Sequence, residues 1–291
     1  MGRIPSSVTP DCVFRNMKLH PEKSAAPILA LLPLLPPIML TISLLCLFAF
    51  FAGLIDAAVG GGGLIQLPAL FNLMPNMAST SLLGTNKLAS ACGTTFAARS
   101  FVGKVNIPWL LVLPAVASAF VMSFIGAAAV SYVPQQVVRP MVLVLIIIMA
   151  IYTFIKKDFG STREPRPIGP RERILAIVIG GAIGFYDGLF GPGTGSFLIF
   201  LFIRVFGFDF ILASACSKLV NIATNVAALA FFIPAGHVVY AVAAPMAVCN
   251  ILGALTGTWI AVRRGAAFVR ILFLVLLVLL IVKLSYDIFF K

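Results

Sequence analysis

Ten apolar stretches recur along the chain, at 28–52, 64–74, 80–102, 107–132, 137–155, 174–189, 195–206, 211–233, 238–261 and 268–289. Most approach the roughly 20 residues an α-helix needs to cross a hydrocarbon core of about 30 Å. None alternates apolar and polar positions as a barrel strand does. The pattern predicts an all-α polytopic membrane protein. Two stretches break the rule. The runs at 64–74 and 195–206 have 11 and 12 residues, below the roughly 17 required for a straight crossing, and each follows a glycine-rich break. Irregular backbone at membrane depth persists only where it is buried in protein or lines a wet cavity.

Composition agrees. Of 291 residues, 61% are hydrophobic and 10% charged, with a mean hydropathy of +1.10, whereas soluble domains run about half apolar and about a quarter charged. The polar stretch 156–173 divides the chain into a basic tail over 1–27, a first membrane half over 28–155, a linker over 156–173 and a second membrane half over 174–291. Each half holds five apolar stretches. The net charge of +12 sits mainly in short flanks, such as Lys156, Lys157, Arg163 and Arg166, or Arg263 and Arg264. Such flanks face the cytoplasm and attract anionic lipid headgroups; scattered over loops, they give no nucleic-acid surface. Placing the linker in the cytoplasm puts Arg99, Lys104 and Arg204 on the same side, while Arg139 and the N-terminal tail fall opposite. The five cysteines have no metal or redox spacing, and no cofactor motif is present.

The two halves correspond at a single offset of 131. It carries Gly53 to Gly184, Asp56 to Asp187, Gly60 to Gly191, Gly62 to Gly193, Lys87 to Lys218, Pro114 to Pro245, Gly126 to Gly257 and Arg139 to Arg270. Matches among Leu, Ala and Val arise by chance in apolar chains; matches of Asp, Lys, Arg and Pro in one register do not. The expectation is a duplicated chain. An odd number of crossings per half makes the repeats inverted, and paired short, Gly-interrupted segments mark the site in transport folds of that kind.

The polar residues inside the apolar runs carry the candidate chemistry. Gly61, Gly62 and Gly63, with Gly193 and Thr194, precede the two short helices, where exposed N–H groups favour anions; close helix packing through small residues is the competing reading. Lys87 and Lys218 put an ammonium in an apolar run at a cost of about 2.5–3.5 kcal/mol on insertion scales, which calls for a bound anion or a carboxylate, unless the side chains reach to the interface. Asp56 and Asp187 stand one turn before the glycines. They serve either as partners of the lysines or as proton carriers, since burial and a nearby ammonium shift a carboxylate in opposite directions. Asn86, Ser90, Ser217, Asn221 and Asn225 cluster around the lysines with Thr85, Thr94 and Thr95. Such groups bond oxyanions or neighbouring helices equally well. No nucleophile and base recognisable as an enzyme's stand together, so the substrate class is a small anion, with a cation held by Asp56 and Asp187 as the alternative.

At these residues the chain resembles the TauE/SafE family of sulfite exporter-like membrane permeases. The likeness lies in G53-L-I-D-A-A-V-G-G-G-G-L-I-Q-L-P68, L83-G-T-N-K-L-A-S90, G184-F-Y-D-G-L-F-G-P-G-T-G195 and S217-K-L-V-N221, and spans about residues 40–289. It implies a secondary transporter of small, often sulfur-containing anions in the cytoplasmic membrane, with the glycine breaks and the two lysine motifs forming the pocket. The basic tail has no counterpart in the family. The apolar outer faces suit lipid or a second copy of the chain.

Overall fold

Two glycine-rich breaks interrupt an otherwise continuous apolar pattern, and helices end and restart there, while Lys87 and Lys218 lie within continuous helices. A computed structural model describes residues 37–103, 105–155 and 167–264. The basic tail, most of the linker and the tenth apolar stretch lie outside the described residues. Nine helices occur among those described: α1 Pro37–Val59, α2 Gly63–Leu73, α3 Ser79–Val102, α4 Trp109–Val130, α5 Gln135–Ile155, α6 Pro170–Leu189, α7 Thr194–Phe206, α8 Phe210–Phe232 and α9 Tyr240–Arg264. No strand occurs there. The described residues from Ile42 onward form one compact unit.

Among the described residues, four helices are long and apolar enough to cross a membrane: Ile38–Val59, Trp109–Val130, Phe210–Phe232 and Tyr240–Ile260. The short α2 and α7, with 11 and 13 residues, extend only about 16–20 Å at 1.5 Å per residue. Each is therefore too short for a straight crossing, as their length in the sequence required.

Two boundaries differ from expectation. The first apolar stretch was expected to end at 52, but α1 runs on through Gly53 to Val59. Gly53 does not terminate the helix; it brings α9 close, since a Cβ there would stand 2.0 Å from the Asn250 carbonyl oxygen. The sixth stretch was expected from 174, whereas α6 starts at Pro170. Proline suits a first helical position because it has no N–H to leave unpaired. The Gly169 N–H donates to the Glu172 carboxylate at 2.9 Å, so charged residues open a helix whose apolar part begins a turn later.

Helices α4 and α6 pack most extensively, α9 lies along α3, and α8 touches α3, α4 and α7. Small residues set these distances. A Cβ on Gly184 of α6 would stand 2.5 Å from the Ala119 oxygen of α4, and one on Gly126 would stand 2.3 Å from the Phe185 oxygen. At positions 131 away the same contacts recur between α1 and α9: Gly53 against the Asn250 oxygen, and Gly257 at 2.1 Å from the Leu54 oxygen. The first-half helix α4 thus packs on second-half α6, and second-half α9 on first-half α1. Close backbone approach through glycine is how helices associate where lipid removes the hydrophobic drive between them.

Apolar side chains fill the remainder, mainly in two large clusters beside a small one of Ala57, Ala97 and Ala254. One gathers Leu45, Ile55, Leu64, Leu67, Phe71, Leu82 and Phe232; the other gathers Leu111, Val112, Leu198, Phe202, Phe206 and Phe208. Large apolar residues such as Leu110, Leu113, Val121 and Val248 point outward, as a lipid-facing surface requires.

Gly184→Val should therefore lower stability by about 1–3 kcal/mol or more through overpacking against Ala119. Gly103→Ala, whose Cβ would have its nearest neighbour at 4.0 Å, should change little. Melting temperatures of the detergent-purified variants check both.

Candidate functional site

Asp56 and Asp187 occupy the last turns of α1 and α6, one turn ahead of the two breaks. At each break the chain turns through a glycine in the left-handed region, Gly60 at φ 78° and Gly191 at φ 87°, where a side chain would be strained. The Gly60 N–H closes onto the Asp56 oxygen at 3.0 Å, and the Phe190 N–H onto the Tyr186 oxygen at 3.0 Å. Helices α2 and α7 then start at Gly63 and Thr194, with Gly62 and Gly193 as N-caps.

The breaks meet backbone to backbone. The Ser196 N–H donates to the Gly60 oxygen at 2.9 Å, and its hydroxyl to the Val59 oxygen at 2.8 Å. A Cβ on Gly60 would lie 2.4 Å from the Gly195 carbonyl carbon, and one on Gly195 would lie 2.5 Å from the Gly60 oxygen. Only glycine fits on either side of that contact.

The lysines cross between the halves. Lys87 Nζ on α3 donates to Asp187 Oδ2 on α6 at 2.6 Å, with side-chain exposures of 3% and 2%. Lys218 Nζ on α8 donates to the Asp56 main-chain oxygen at 2.6 Å and lies 3.4 Å from Asp56 Oδ2. Neither lysine reaches to the interface. Hydroxyls complete both carboxylates: Thr194 Oγ1 donates to Asp187 Oδ1 at 2.6 Å, and Thr94 Oγ1 to Asp56 Oδ2 at 3.2 Å. With two ammonium and two carboxylate groups, the set is electrically balanced. This matters because an unpaired charge in a low-dielectric interior is costly.

Next to these pairs lies a small cavity. Helix α3 contributes Asn86, Lys87, Ser90 and Thr94; α8 contributes Asn221 and Asn225. Asp56, Asp187, Gly60, Gly63, Gly191, Gly193, Thr194 and Gly195 supply the remaining wall. Asn225 Nδ2 donates to Asn221 Oδ1 at 3.1 Å. Asn86 Oδ1 is buried without a hydrogen-bond partner.

Of the residues expected at the site, Lys87, Asn86, Ser90, Asn221, Gly63, Gly193, Thr194, Asp56 and Asp187 line this cavity, and Lys218, Ser217, Gly61 and Gly62 do not. Lys218 is turned to the Asp56 backbone. The Ser217 hydroxyl donates to the Gly195 oxygen at 3.1 Å and so fastens α8 to the start of α7. Gly61 and Gly62 supply the first turn of α2, accepting from Leu64 N and Ile65 N. Sequence reasoning did not single out Gln66 and Asn250, which join α2 to α9 through a 2.6 Å bond from Asn250 Nδ2 to Gln66 Oε1. Gln66 Nε2 lies 3.5 Å from the Asn86 main-chain oxygen. Their signal was present, since both are amides in otherwise apolar runs.

Half-helices that start at a shared break, buried ion pairs between the two halves and an outward apolar surface describe an integral membrane protein of the transporter class. The family described as Sulfite exporter TauE/SafE matches residues 45–284, and this chain belongs to it. Among its relatives, the protein named "Probable membrane transporter protein YfcA" of Escherichia coli (strain K12) is 33% identical over 249 residues, 85% of this chain and 91% of the relative. "Probable membrane transporter protein ORF9" of Sinorhizobium sp is 33% identical over 239 residues, 82% of this chain and 90% of the relative. A "Probable membrane transporter protein" of Haemophilus influenzae is 30% identical over 250 residues, covering 84% and 95%. No solved structure matches the chain.

Lys87→Met should destabilise the protein by about 3–5 kcal/mol, because it leaves the buried Asp187 carboxylate uncompensated. Adding Asp187→Asn to that variant should recover most of the loss. A double variant no more stable than the single one, measured by melting in detergent, would contradict this account of the pair.

Proposed function

We propose that this protein is a secondary transporter that moves a small sulfur-containing oxyanion, sulfite or a short sulfonate, across the cytoplasmic membrane. It works by alternating access, drawing on the proton gradient through one of its two ion-paired carboxylates. The observation that carries the proposal is the Lys87 ammonium, buried on a cavity wall made by the starts of two half-helices. An oxyanion entering there finds a positive charge, hydroxyl and amide donors, and the positive ends of α2 and α7, which favour negative charge. The cavity is small, and that favours a compact solute. The family name supports a sulfur-containing one.

Alternating access follows from the paired architecture. The contacts of α4 with α6 and of α1 with α9 occupy positions 131 apart, which supports reading the halves as duplicated and opposed in orientation. Rocking one pair of packed helices against the other would open the cavity to each side in turn. The helical, lipid-facing surface favours a cytoplasmic membrane over an outer membrane, where spanning proteins are barrels. The membership in a transporter family argues against an enzyme.

A cation carrier using Asp56 and Asp187 finds less support. Both carboxylates are engaged by ammonium groups, and among the described residues no three His, Cys, Asp or Glu side chains converge. Hard cations take about six to eight oxygen ligands or keep their waters.

Purified protein in proteoliposomes should move labelled sulfite or methanesulfonate in preference to chloride or a panel of divalent cations. Lys87→Ala should reduce that flux to the level of protein-free vesicles. Undiminished flux in Lys87→Ala would rule out the binding role given to this ammonium.

A further inference from the structure

The two ammonium–carboxylate pairs use equivalent positions of the two halves and differ in chemistry. Lys218 makes its shortest bond to the Asp56 main-chain oxygen, at 2.6 Å. A main-chain oxygen does not titrate, so Lys218 keeps that partner whatever becomes of the Asp56 carboxyl. The bond of Lys87 goes to the Asp187 carboxylate alone, at 2.6 Å and almost fully buried. Lys87 and Asp187 both line the cavity, whereas Lys218 does not. An anion that enters therefore competes with Asp187 for one ammonium.

We infer that Asp187, and not Asp56, carries the coupling proton, and that the carrier loads one proton with each singly charged oxyanion. The inference rests on the transport reading above and adds the coupling residue and the stoichiometry. The loading step balances. The contact between Lys87 and Asp187 breaks, and one between Lys87 and the anion forms. One proton from water on the loading side adds to the Asp187 carboxylate, giving a neutral carboxyl group. Lys87 stays an ammonium throughout. The buried site holds one ammonium and one anion before and after, so neither form leaves an uncompensated charge inside the protein. Keeping Asp187 ionised beside the bound anion would leave one, at substantial cost.

The surroundings of Asp187 suit the exchange. Thr194 Oγ1, 2.6 Å from Oδ1, can donate to the carboxylate or accept from the protonated acid, because a hydroxyl does both. Among the groups that face it, Lys87 comes from α3, and Asp56 of α1 shares the cavity wall and is paired with Lys218 of α8. Tyr186, its neighbour on α6, directs its hydroxyl to the Pro192 oxygen. From α4, the Ser123 main chain lies against Gly188, and α8 brings Asn221 and Asn225 to the cavity. None of these last three carries a charge.

The test uses wild-type protein in proteoliposomes with labelled methanesulfonate, whose single charge does not titrate near neutral pH. If only sulfite is moved, sulfite in mildly acidic buffer, where the singly charged hydrogensulfite predominates, takes its place. A pH gradient alone should drive accumulation, and a membrane potential imposed at equal pH with potassium and valinomycin should not. Asp187→Asn should still exchange labelled for unlabelled anion and lose pH-driven accumulation to the level of empty vesicles. Asp56→Asn should keep its dependence on the pH gradient at whatever rate it turns over. Accumulation that follows the potential in wild type overturns the inference while transport itself stands. So does pH-driven accumulation that survives in Asp187→Asn, or that Asp56→Asn abolishes while exchange persists. Should Asp187→Asn fail to fold, the wild-type voltage measurement decides alone. Wild-type protein that moves neither anion under any gradient overturns the transport reading, and this inference with it.

Discussion

Two ammonium groups with 2% exposure lie inside a chain that is 61% hydrophobic, and each has to be matched by an opposite charge or a strong acceptor. The acceptors sit on the opposite half in both cases, Asp187 for Lys87 and Asp56 for Lys218. Neither half could bury its own lysine in lipid without the other, since an uncompensated ion in a low-dielectric interior is prohibitively unfavourable. The pairing therefore ties the halves together and fixes which helices face the centre. It also leaves the polar interior electrically neutral, so one added charge has to be met by another change of charge.

The glycine breaks follow from that arrangement. Bringing the end of α1 and the end of α6 within reach of the lysines forces the two turns against each other. The Ser196 N–H bond to the Gly60 oxygen is the result. Space at this contact excludes any Cβ, and the reversed φ of Gly60 and Gly191 excludes most side chains independently. Half-helices α2 and α7 then start from the same place. Their first turns, whose N–H groups bond to oxygens of the two breaks such as Gly61, Gly62 and Gly60, lie beside the carboxylates, the hydroxyls and the partnerless Asn86 oxygen. The site is thus assembled from the ends of α1, α2, α6 and α7 together with the inward faces of α3 and α8.

Much of this architecture was legible beforehand. The apolar stretches located α2, α4, α5, α7 and α8 to within about two residues, because a helix in lipid has to be apolar nearly throughout. The shortness of α2 and α7 was visible as well. The misplaced boundaries have local causes: Gly53 packs against α9 without ending α1, and Pro170 with Glu172 opens α6 among charged residues. Polar residues in apolar runs flagged most of the cavity wall.

By itself, the sequence determined that the chain resides in a membrane, that each half carries a broken helix with a carboxylate before the break and a lysine beyond it, and that these residues are too costly to bury without partners. It did not distinguish Lys87 from Lys218, since both occupy the same place in the same pattern. Only the tertiary structure decided that each lysine crosses to the other half, and that one meets a carboxylate on a cavity wall while the other turns to a main-chain oxygen. That choice depends on the path of the backbone between α1 and α2 and between α6 and α7, where a few degrees of rotation redirect a carbonyl and no periodicity in the residues records it.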